Sequence, residues 1–173
     1  MDSATGVLST PLSYPNNRVH MLSYQSFTLP IYVECELKKD VSYHDTTILL
    51  GNSVLQAGAK MKAVYDTIVW GTTSYDGNRY SYAVNHSSGN KYNSNYGDVD
   101  PTSSEWTKFS IYVDENEVIM YQYDGVQKYR FTPDTTTFPS WAVAGGTVRV
   151  GIWDNDGVGM YRNLKVKNYN PWR

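Results

Sequence analysis

The first candidate for chemistry is a pair of carboxylates. Glu34 and Glu36 lie in the run 31–37, where apolar and polar residues alternate, so both would project from one face of a strand. Two carboxylates about 5 to 9 Å apart hydrolyse glycosidic bonds, one as the acid and the other as base or nucleophile. Solvated charges on the outer face of a sheet explain the same spacing, and we favour that interpretation.

The histidines and an acidic turn near the C-terminus are the candidate metal ligands. His20, His44 and His86 are scattered, without the spacing of a metal site or of a general base. The turn 154–157 carries three oxygen-bearing side chains, but it lacks the register and the distal Glu of an EF-hand. We therefore expect no cofactor and no metal site, and we leave a structural calcium ion open.

The stretch 65–96 is dense in aromatic and amide residues. It contains Tyr65, Trp70, Tyr75, Tyr80, Tyr82, Tyr92 and Tyr96 among Asn78, Asn85, Asn90, Asn93 and Asn95. Sugars need this mixture, because the apolar face of a pyranose stacks on aromatic rings while amides bind the hydroxyls. The predicted saccharide-binding patch consists of Trp70, Tyr75, Asn78, Tyr80 and Tyr82, closed by Trp153 and Asp154 from a neighbouring strand end. Packing of these aromatic residues within the domain is the alternative, with Trp70 filling the end of the core.

The elements that position these residues are predicted to be strands, because the apolar pattern has a period of two. Runs rich in Val, Ile, Thr, Tyr and Trp occur at 31–37, 46–50, 62–70, 79–84, 107–113, 118–123, 128–131, 147–153 and 159–166. Gly, Asn and Asp separate these runs at tight turns. We interpret 54–65 as loop plus strand rather than helix, and 85–104 as a long loop.

This pattern predicts an all-β fold in which two antiparallel sheets stack as a jelly-roll β-sandwich. The predicted core consists of Val33, Leu37, Phe109, Ile111, Val148, Val150, Leu164 and Val166. Cys35 shares the apolar face of its run and is predicted to be a buried structural thiol.

Length and composition fit one folded domain. The chain has 173 residues, of which 40% are hydrophobic and 14% aromatic, and its net charge is −2. Binding to nucleic acid needs a basic excess that is missing here, and no apolar run approaches the roughly 20 residues that cross a bilayer. We expect neither nucleic acid as a partner nor insertion into a membrane. The prediction is a single sandwich domain over 1–173, with 1–26 as an N-terminal strand or loop segment and 167–173 as a C-terminal tail.

Two segments carry a resemblance to a known superfamily. In the run 146–153, Gly146, Val148, Val150 and Gly151 follow a Gly-x-hydrophobic-x-hydrophobic-Gly pattern, and a final alternating strand follows at 159–166. The hairpin 105–126 begins with Glu105-Trp106 and ends in a Tyr-Asp-Gly turn, and it resembles hairpins of laminin-G-like and sugar-binding domains. Together these segments resemble the concanavalin A-like lectin/glucanase superfamily over most of residues 27–167. The resemblance implies a jelly-roll fold.

The sequence departs from that superfamily at two places. Many sugar-active members have an Asp in the last strand that helps to hold calcium, whereas this chain has Arg162-Asn163, and an amide is a weaker ligand for a hard cation. The glucanase branch carries E-x-D-x-x-E on one strand, and no part of this sequence matches that motif.

The resemblance and the missing signatures together predict a non-catalytic, lectin-like carbohydrate-binding module. We expect an oligosaccharide or polysaccharide as its partner, and a larger extracellular, cell-surface or virion-associated protein as its context, with other domains covalently linked. Two alternatives stay open. One is a glycan-cleaving enzyme of the same fold, either a glycoside hydrolase or a polysaccharide lyase, and the other is a protein-interaction or spacer domain of an adhesin or phage tail protein.

Overall fold

The computed structural model describes residues 6–10, 18–39, 45–52, 66–73, 79–85, 92–99, 105–143, 145–155 and 158–173. These residues form twelve β-strands and one helix of four residues. The elements are β1 Leu8–Ser9, β2 Arg18–Thr28, β3 Ile31–Lys39, β4 Asp45–Gly51, β5 Thr67–Thr73, β6 Arg79–Asn85, β7 Tyr92–Val99, β8 Thr107–Val113, β9 Val118–Gln122, β10 Val126–Phe131, α1 Ser140–Val143, β11 Thr147–Asn155 and β12 Gly159–Lys167. No helix in this part of the chain is long and apolar enough to cross a membrane.

The strands form two six-stranded antiparallel sheets. The first sheet has the order β1-β12-β3-β8-β9-β10, and the second has the order β2-β11-β4-β5-β6-β7. Half of the neighbouring pairs are distant in sequence, as in β12 beside β3 and β11 between β2 and β4. The predicted all-β antiparallel sandwich is confirmed.

The core lies between the two sheets, where each strand directs alternate side chains inward. Six residues of the predicted core are buried there, namely Val33, Leu37, Phe109, Ile111, Val148 and Val150. Cys35 is buried on the same face of β3, as expected, and burial raises the pKa of its thiol to about 12. A thiol that stays protonated at neutral pH is a poor nucleophile, which agrees with a structural role.

The prediction for Leu164 is wrong. Its side chain is 47% exposed, because the register of β12 against β3 shifts between Arg162 and Lys165. Asn163 lies within this bulge with a positive φ of 56°. A bulge inserts extra residues on one strand, so a strict alternation counted through it assigns the wrong face. Val166, beyond the bulge, is partly buried against the core.

One strand of the second sheet was not expected. The region 85–104 was predicted to be a loop, yet Tyr92–Val99 forms β7 at the edge of the second sheet and pairs with β6. An edge strand can be held by main-chain hydrogen bonds to one neighbour, so it needs no apolar alternation. The strand β2 begins at Arg18, inside the segment 1–26 that was predicted as strand or loop, and continues to Thr28. The stretch 54–65 lies outside the described residues.

The predicted C-terminal tail packs across the outer face of the first sheet, and we call residues 168–173 the C-terminal strap. Trp172 donates from Nε1 to the Tyr32 hydroxyl at 3.1 Å, and Asn170 donates from Nδ2 to the Tyr121 hydroxyl at 2.9 Å. Arg173 forms an ion pair with Glu117. The strap therefore links the end of β12 to Tyr32 of β3 and to Tyr121 of β9, and β9 lies on the far side of β8.

Candidate functional site

Trp70, the centre of the predicted saccharide-binding patch, lies in the core. Its side chain has no exposed surface, and its ring makes edge contacts with Phe109 at 5.3 Å and Tyr129 at 5.5 Å between centroids. Nε1 donates to the main-chain carbonyl of Tyr121 at 2.8 Å, which connects the two sheets. The expectation that a sugar reaches this ring is corrected, because position 70 shares the inward face of β5 with Ile68.

Asp154 is also buried, at 1% exposure, and it holds chain segments together. Its carboxylate accepts hydrogen bonds from the Thr46 hydroxyl at 3.3 Å, from the main-chain N–H of Gly159 at 2.8 Å, and from the Thr10 hydroxyl. These partners come from β4, from the start of β12 and from the residue after β1. A buried carboxylate needs such donors, so Asp154 is a structural residue and does not close an exposed patch.

Trp153 lies on the opposite face of β11, which is the outer face of the second sheet. It is 2% exposed, and its register partners are His20 on β2 and Thr47 on β4. Its indole N–H is buried and makes no hydrogen bond within the described part of the chain. An unsatisfied buried donor costs about 1 to 3 kcal/mol, so an acceptor supplied by a water molecule or a ligand would be stabilising.

Close strand approach leaves the outer face around Trp153 without side chains at two positions. Gly71 is the register partner of Thr47, and a Cβ there would lie 2.2 Å from the carbonyl oxygen of Thr46. Gly151 is two residues before Trp153, and a Cβ there would lie 1.8 Å from the carbonyl oxygen of Met21. Neither Gly71 nor Gly151 therefore tolerates a side chain beside Trp153.

The remaining residues of the predicted patch are not brought together by contacts that the structure describes. Tyr82 pairs with Trp70, and Tyr80 pairs with Thr72, in the backbone register of β5 and β6. Tyr75 and Asn78 lie outside the described residues. The tyrosine part of the patch stays a prediction.

The carboxylates of Glu34 and Glu36 are each neutralised by a cation from β12. Glu34 accepts a hydrogen bond from the Lys165 ammonium at 3.1 Å and another from the Tyr32 hydroxyl at 3.1 Å. Glu36 accepts from Arg162 Nε at 2.6 Å and from Asn163 Nδ2 at 2.9 Å. The two carboxylates face the same side of β3, as the sequence predicts.

The electrostatics of Glu36 do not suit a general acid. Burial raises the pKa of its carboxyl group, but the hydrogen bonds from Asn163 and Arg162 and the charge of Arg162 outweigh burial, and the net shift is downward. A glycosidase acid needs a raised pKa to hold its proton near neutral pH. The pair is therefore a structural ion-pair cluster, which agrees with the favoured interpretation of solvated outer-face charges only in part, because Glu34 is buried.

The second sheet contains no pair of carboxylates on one strand. In the sequence of its six strands, acidic residues occur once each in β4, β7 and β11, as Asp45, Asp98 and Asp154. Across the described residues, no three His, Cys, Asp or Glu side chains come together as a metal site. Arg162 and Asn163 both donate hydrogen bonds to Glu36.

Sequence reasoning missed a cation–aromatic contact on the outer face of the first sheet. The Arg162 guanidinium lies over the Trp106 ring, 4.1 Å from its centroid. The bulge at Asn163 lets the side chains of Arg162 and Asn163 both donate to the Glu36 carboxylate. No local pattern in the sequence indicates a bulge of this kind.

Solved structures with a similar fold include glucanases and the globular domain of a calreticulin. The endo-β-1,3-glucanase from Pyrococcus furiosus aligns with a TM-score of 0.61 at 12% identity, over 86% of this chain and 65% of that chain. The globular domain of T. cruzi calreticulin aligns with a TM-score of 0.61 at 12% identity, over 88% of this chain and 69% of that chain. A pseudo β-1,3-glucanase of Mycobacterium tuberculosis aligns with a TM-score of 0.58 at 8% identity, over 87% of this chain and 69% of that chain.

No protein-family model and no curated protein sequence matches the chain. At these low identities, the structural similarity establishes the fold, which is the concanavalin A-like jelly roll that the two sequence segments indicate.

Proposed function

We propose that this domain binds glycans without cleaving them. One observation carries the proposal. In a fold shared with β-1,3-glucanases, the carboxylates of Glu34 and Glu36 lie on the same face of β3, and each forms an ion pair, Glu34 with Lys165 and Glu36 with Arg162. None of the described strands of the second sheet carries more than one acidic residue, which supports the same conclusion. The finer function proposed is that of a lectin-like module in an extracellular, cell-surface or virion-associated protein, where polysaccharides are accessible.

The outer face of the second sheet around Trp153 is the proposed contact surface. Trp153 lies beneath this surface with a buried indole N–H that has no acceptor among the described residues, so its signal reports on a sugar bound above it, and Gly71 and Gly151 add no side chains there. Tyr80 and Tyr82 of β6 pair in register with Thr72 and with the inward-facing Trp70, so they are not part of this outer surface and stay a separate prediction. Affinity should be micromolar or weaker, because a sugar exchanges water hydrogen bonds for protein ones at little net gain.

The indole N–H resonances test this proposal directly. Laminarin, a β-1,3-glucan, is the first probe because two of the similar solved structures are a β-1,3-glucanase and a pseudo β-1,3-glucanase. In ¹H–¹⁵N spectra, laminarin should shift the Trp153 indole signal, identified by its loss in Trp153→Phe. The Trp70 signal is the internal control, because its N–H is already bonded to Tyr121. No shift of the Trp153 signal with laminarin or with a broad saccharide panel would overturn the proposal and favour a protein-interaction or spacer domain.

The two tyrosines of β6 need a separate measurement. If Tyr80 and Tyr82 contact the sugar, Tyr80→Ala and Tyr82→Ala should weaken binding while the melting temperature changes little. If they pack against the core instead, both quantities should fall together.

The second candidate function is glycan cleavage, which the glucanases among the similar structures favour. Incubation of the purified domain with laminarin and with uronate polymers should release neither reducing ends nor unsaturated products. Turnover that Glu34→Gln or Glu36→Gln abolishes would reject the non-catalytic proposal and make the carboxylate pair the active site.

A further inference from the structure

The C-terminal strap holds the indole of Trp172 at one corner of the first sheet, beside the turn 123–125 that connects β9 to β10. The main-chain N–H of Trp172 donates to Oδ1 of Asn170 at 3.0 Å, and its indole Nε1 donates to the Tyr32 hydroxyl at 3.1 Å. One hydrogen bond fixes the backbone and the other fixes an edge of the ring. Although it is held in this way, Trp172 is 41% exposed.

The indole lies face-on over Gly125. A Cβ at Gly125 would lie 2.7 Å from Cδ2, 2.8 Å from Cε3 and 3.3 Å from Cε2 of Trp172. A point this close to both ring-fusion carbons and to their neighbour lies above the plane of the ring, not at its edge. One face of the indole therefore rests on Gly125 and the Nε1 edge lies at Tyr32, so the opposite face and the far edge account for the exposure of the ring.

The same turn carries a second exposed aromatic residue. Tyr123 is 42% exposed, and its φ of 53° is one that bulky residues seldom adopt. Its main-chain N–H donates to the carbonyl oxygen of Lys108 at 2.8 Å, which anchors the turn to β8. The turn thus presents Tyr123 at its start and the Trp172 ring over its last residue.

Polar groups flank the Trp172 ring. Asp124, in the middle of the turn, has a side chain that is 75% exposed, and its Oδ1 accepts a hydrogen bond from the Lys108 ammonium at 2.6 Å. Its Oδ2 has no hydrogen bond among the described residues and is an acceptor for a hydroxyl. Gln127 is exposed and is the register partner of Tyr121, whose hydroxyl accepts from the strap, so the amide of Gln127 lies on the outer face that Trp172 covers.

We propose that this corner binds a neutral saccharide, with one pyranose ring stacked on the free face of Trp172. Asp124 and Gln127 bind the sugar hydroxyls, and Tyr123 provides a further aromatic contact. The apolar face of a pyranose needs an aromatic ring, and its hydroxyls need amides and carboxylates at the rim of that ring. The Lys108 ammonium neutralises the charge of Asp124, which favours a neutral sugar over an ionic one.

This site goes beyond the proposed contact surface around Trp153. It lies on the outer face of the first sheet, whereas Trp153 lies on the outer face of the second sheet, on the opposite side of the sandwich. The two sites share no residue, so each is tested by its own signals.

Cellohexaose, an oligomer of β-1,4-linked glucose, is the probe. Both faces of its rings carry only hydrogen atoms, and its extended chain can lie on an open surface. In ¹H–¹³C spectra, cellohexaose should shift the C–H signals of the six-membered ring of Trp172, which are identified by their loss in Trp172→Phe. The ring signals of the buried Trp70 are the internal control. tert-Butanol at the same concentration is the matched apolar probe and should not reproduce the shifts.

Substitutions then test the individual contacts, with affinity measured from the side-chain amide signal of Gln127. Trp172→Ala should weaken cellohexaose binding by about tenfold, because stacking is the main favourable contribution. Asp124→Ala should weaken it by about fivefold through the loss of a hydroxyl contact. Tyr24→Ala is the control on the other sheet, where Tyr24 is 98% exposed, and it should change the affinity by no more than about twofold.

Circular dichroism melting checks that each variant is folded, and Asp124→Ala keeps the test decisive if Trp172→Ala is too unstable, because it removes an exposed side chain. The proposal is wrong if cellohexaose leaves the Trp172 ring signals in place, if tert-butanol shifts them equally, or if Asp124→Ala has no more effect than Tyr24→Ala. The laminarin shift of the Trp153 indole signal should be unchanged in Asp124→Ala, so a failure at this corner is distinguishable from a failure of the proposed function.

Discussion

Trp172 donates a 3.1 Å hydrogen bond from its indole Nε1 to the hydroxyl of Tyr32, a residue of β3 that lies 140 positions earlier. The Tyr32 hydroxyl in turn donates to Glu34 at 3.1 Å. The Trp172 ring packs on Gly125, where a Cβ would lie 2.7 Å from the indole and where φ is +83°. The strap thus covers the buried hydrophobic cluster of the outer face, which consists of Tyr32, Tyr112, Ile119 and Tyr121.

Removal of the indole should therefore destabilise the domain. We expect Trp172→Ala to lower the free energy of unfolding by about 1 to 3 kcal/mol, because it uncovers part of this cluster and removes one hydrogen bond. Trp172→Phe keeps a ring over Gly125 and should cost less. Urea unfolding measures both. Tyr24→Ala is the control, because Tyr24 is 98% exposed and should change the free energy by no more than about 0.5 kcal/mol. Equal effects at positions 24 and 172 would contradict a stabilising strap.

Ile111 and Leu164 were both expected in the core, and the structure separates them. Ile111 is completely buried, whereas Leu164 is 47% exposed beside the bulge. Ile111→Ala should lower the free energy of unfolding by roughly 2 to 5 kcal/mol through lost burial and the cavity that remains. Leu164→Ala should change it by about 0.5 kcal/mol or less. Denaturant titrations of the two variants check this pair, and similar losses at both positions would mean that Leu164 is packed.

The difference between these two residues shows which parts of the fold a sequence pattern can predict. The alternation in β3 continues without interruption, and it placed Val33, Cys35 and Leu37 correctly. Alternation fails at Asn163, because a bulge depends on hydrogen bonds to β3, which is more than 120 residues away in sequence. The edge strand β7 was missed for a related reason, since its main-chain pairing with β6 needs no apolar pattern.

The candidate site was harder to predict than the fold. The residue type of Trp70 suits both sugar stacking and core packing, and the facing of β5 decides between them. That facing is set by Phe109 and Tyr129 of the opposite sheet, which are not adjacent to Trp70 in sequence. Arg162 gave no signal either, because its position over the Trp106 ring depends on the bulge between β12 and β3.

The Glu36 cluster should make stability depend on pH in the acid range. Although burial raises the pKa of Glu36, the hydrogen bonds from Asn163 and Arg162 lower it overall from its ordinary value of 4.5. A group whose folded pKa is below its unfolded pKa stabilises the folded state above the unfolded value, and this contribution is lost as pH falls through the folded pKa.

Glu36→Gln tests that dependence. The variant should be less stable than the original chain at pH 7, and the difference should shrink as pH falls below about 4.5. Urea unfolding at pH 7, 5 and 3 measures it, with Glu115→Gln as the control because Glu115 is exposed and lies in the turn between β8 and β9. A difference between Glu36→Gln and the original chain that stays constant with pH would show that the ion pair contributes nothing through the charge of Glu36.

Substitutions of Trp70 distinguish a role in the core from a role in glycan binding. Trp70→Ala should cost about 3 to 5 kcal/mol of unfolding free energy, because the ring is fully buried between Phe109 and Tyr129. Trp70→Phe keeps an aromatic ring but removes the Nε1 donor, so the carbonyl of Tyr121 loses its bond from the other sheet. That loss should cost about 1 to 3 kcal/mol and leave enough stability for binding measurements. Below its melting temperature, Trp70→Phe should bind laminarin as the original chain does, measured by the shift of the Trp153 indole signal. A large loss of affinity in a folded Trp70→Phe variant would restore Trp70 to the binding surface and contradict the position that the structure gives it.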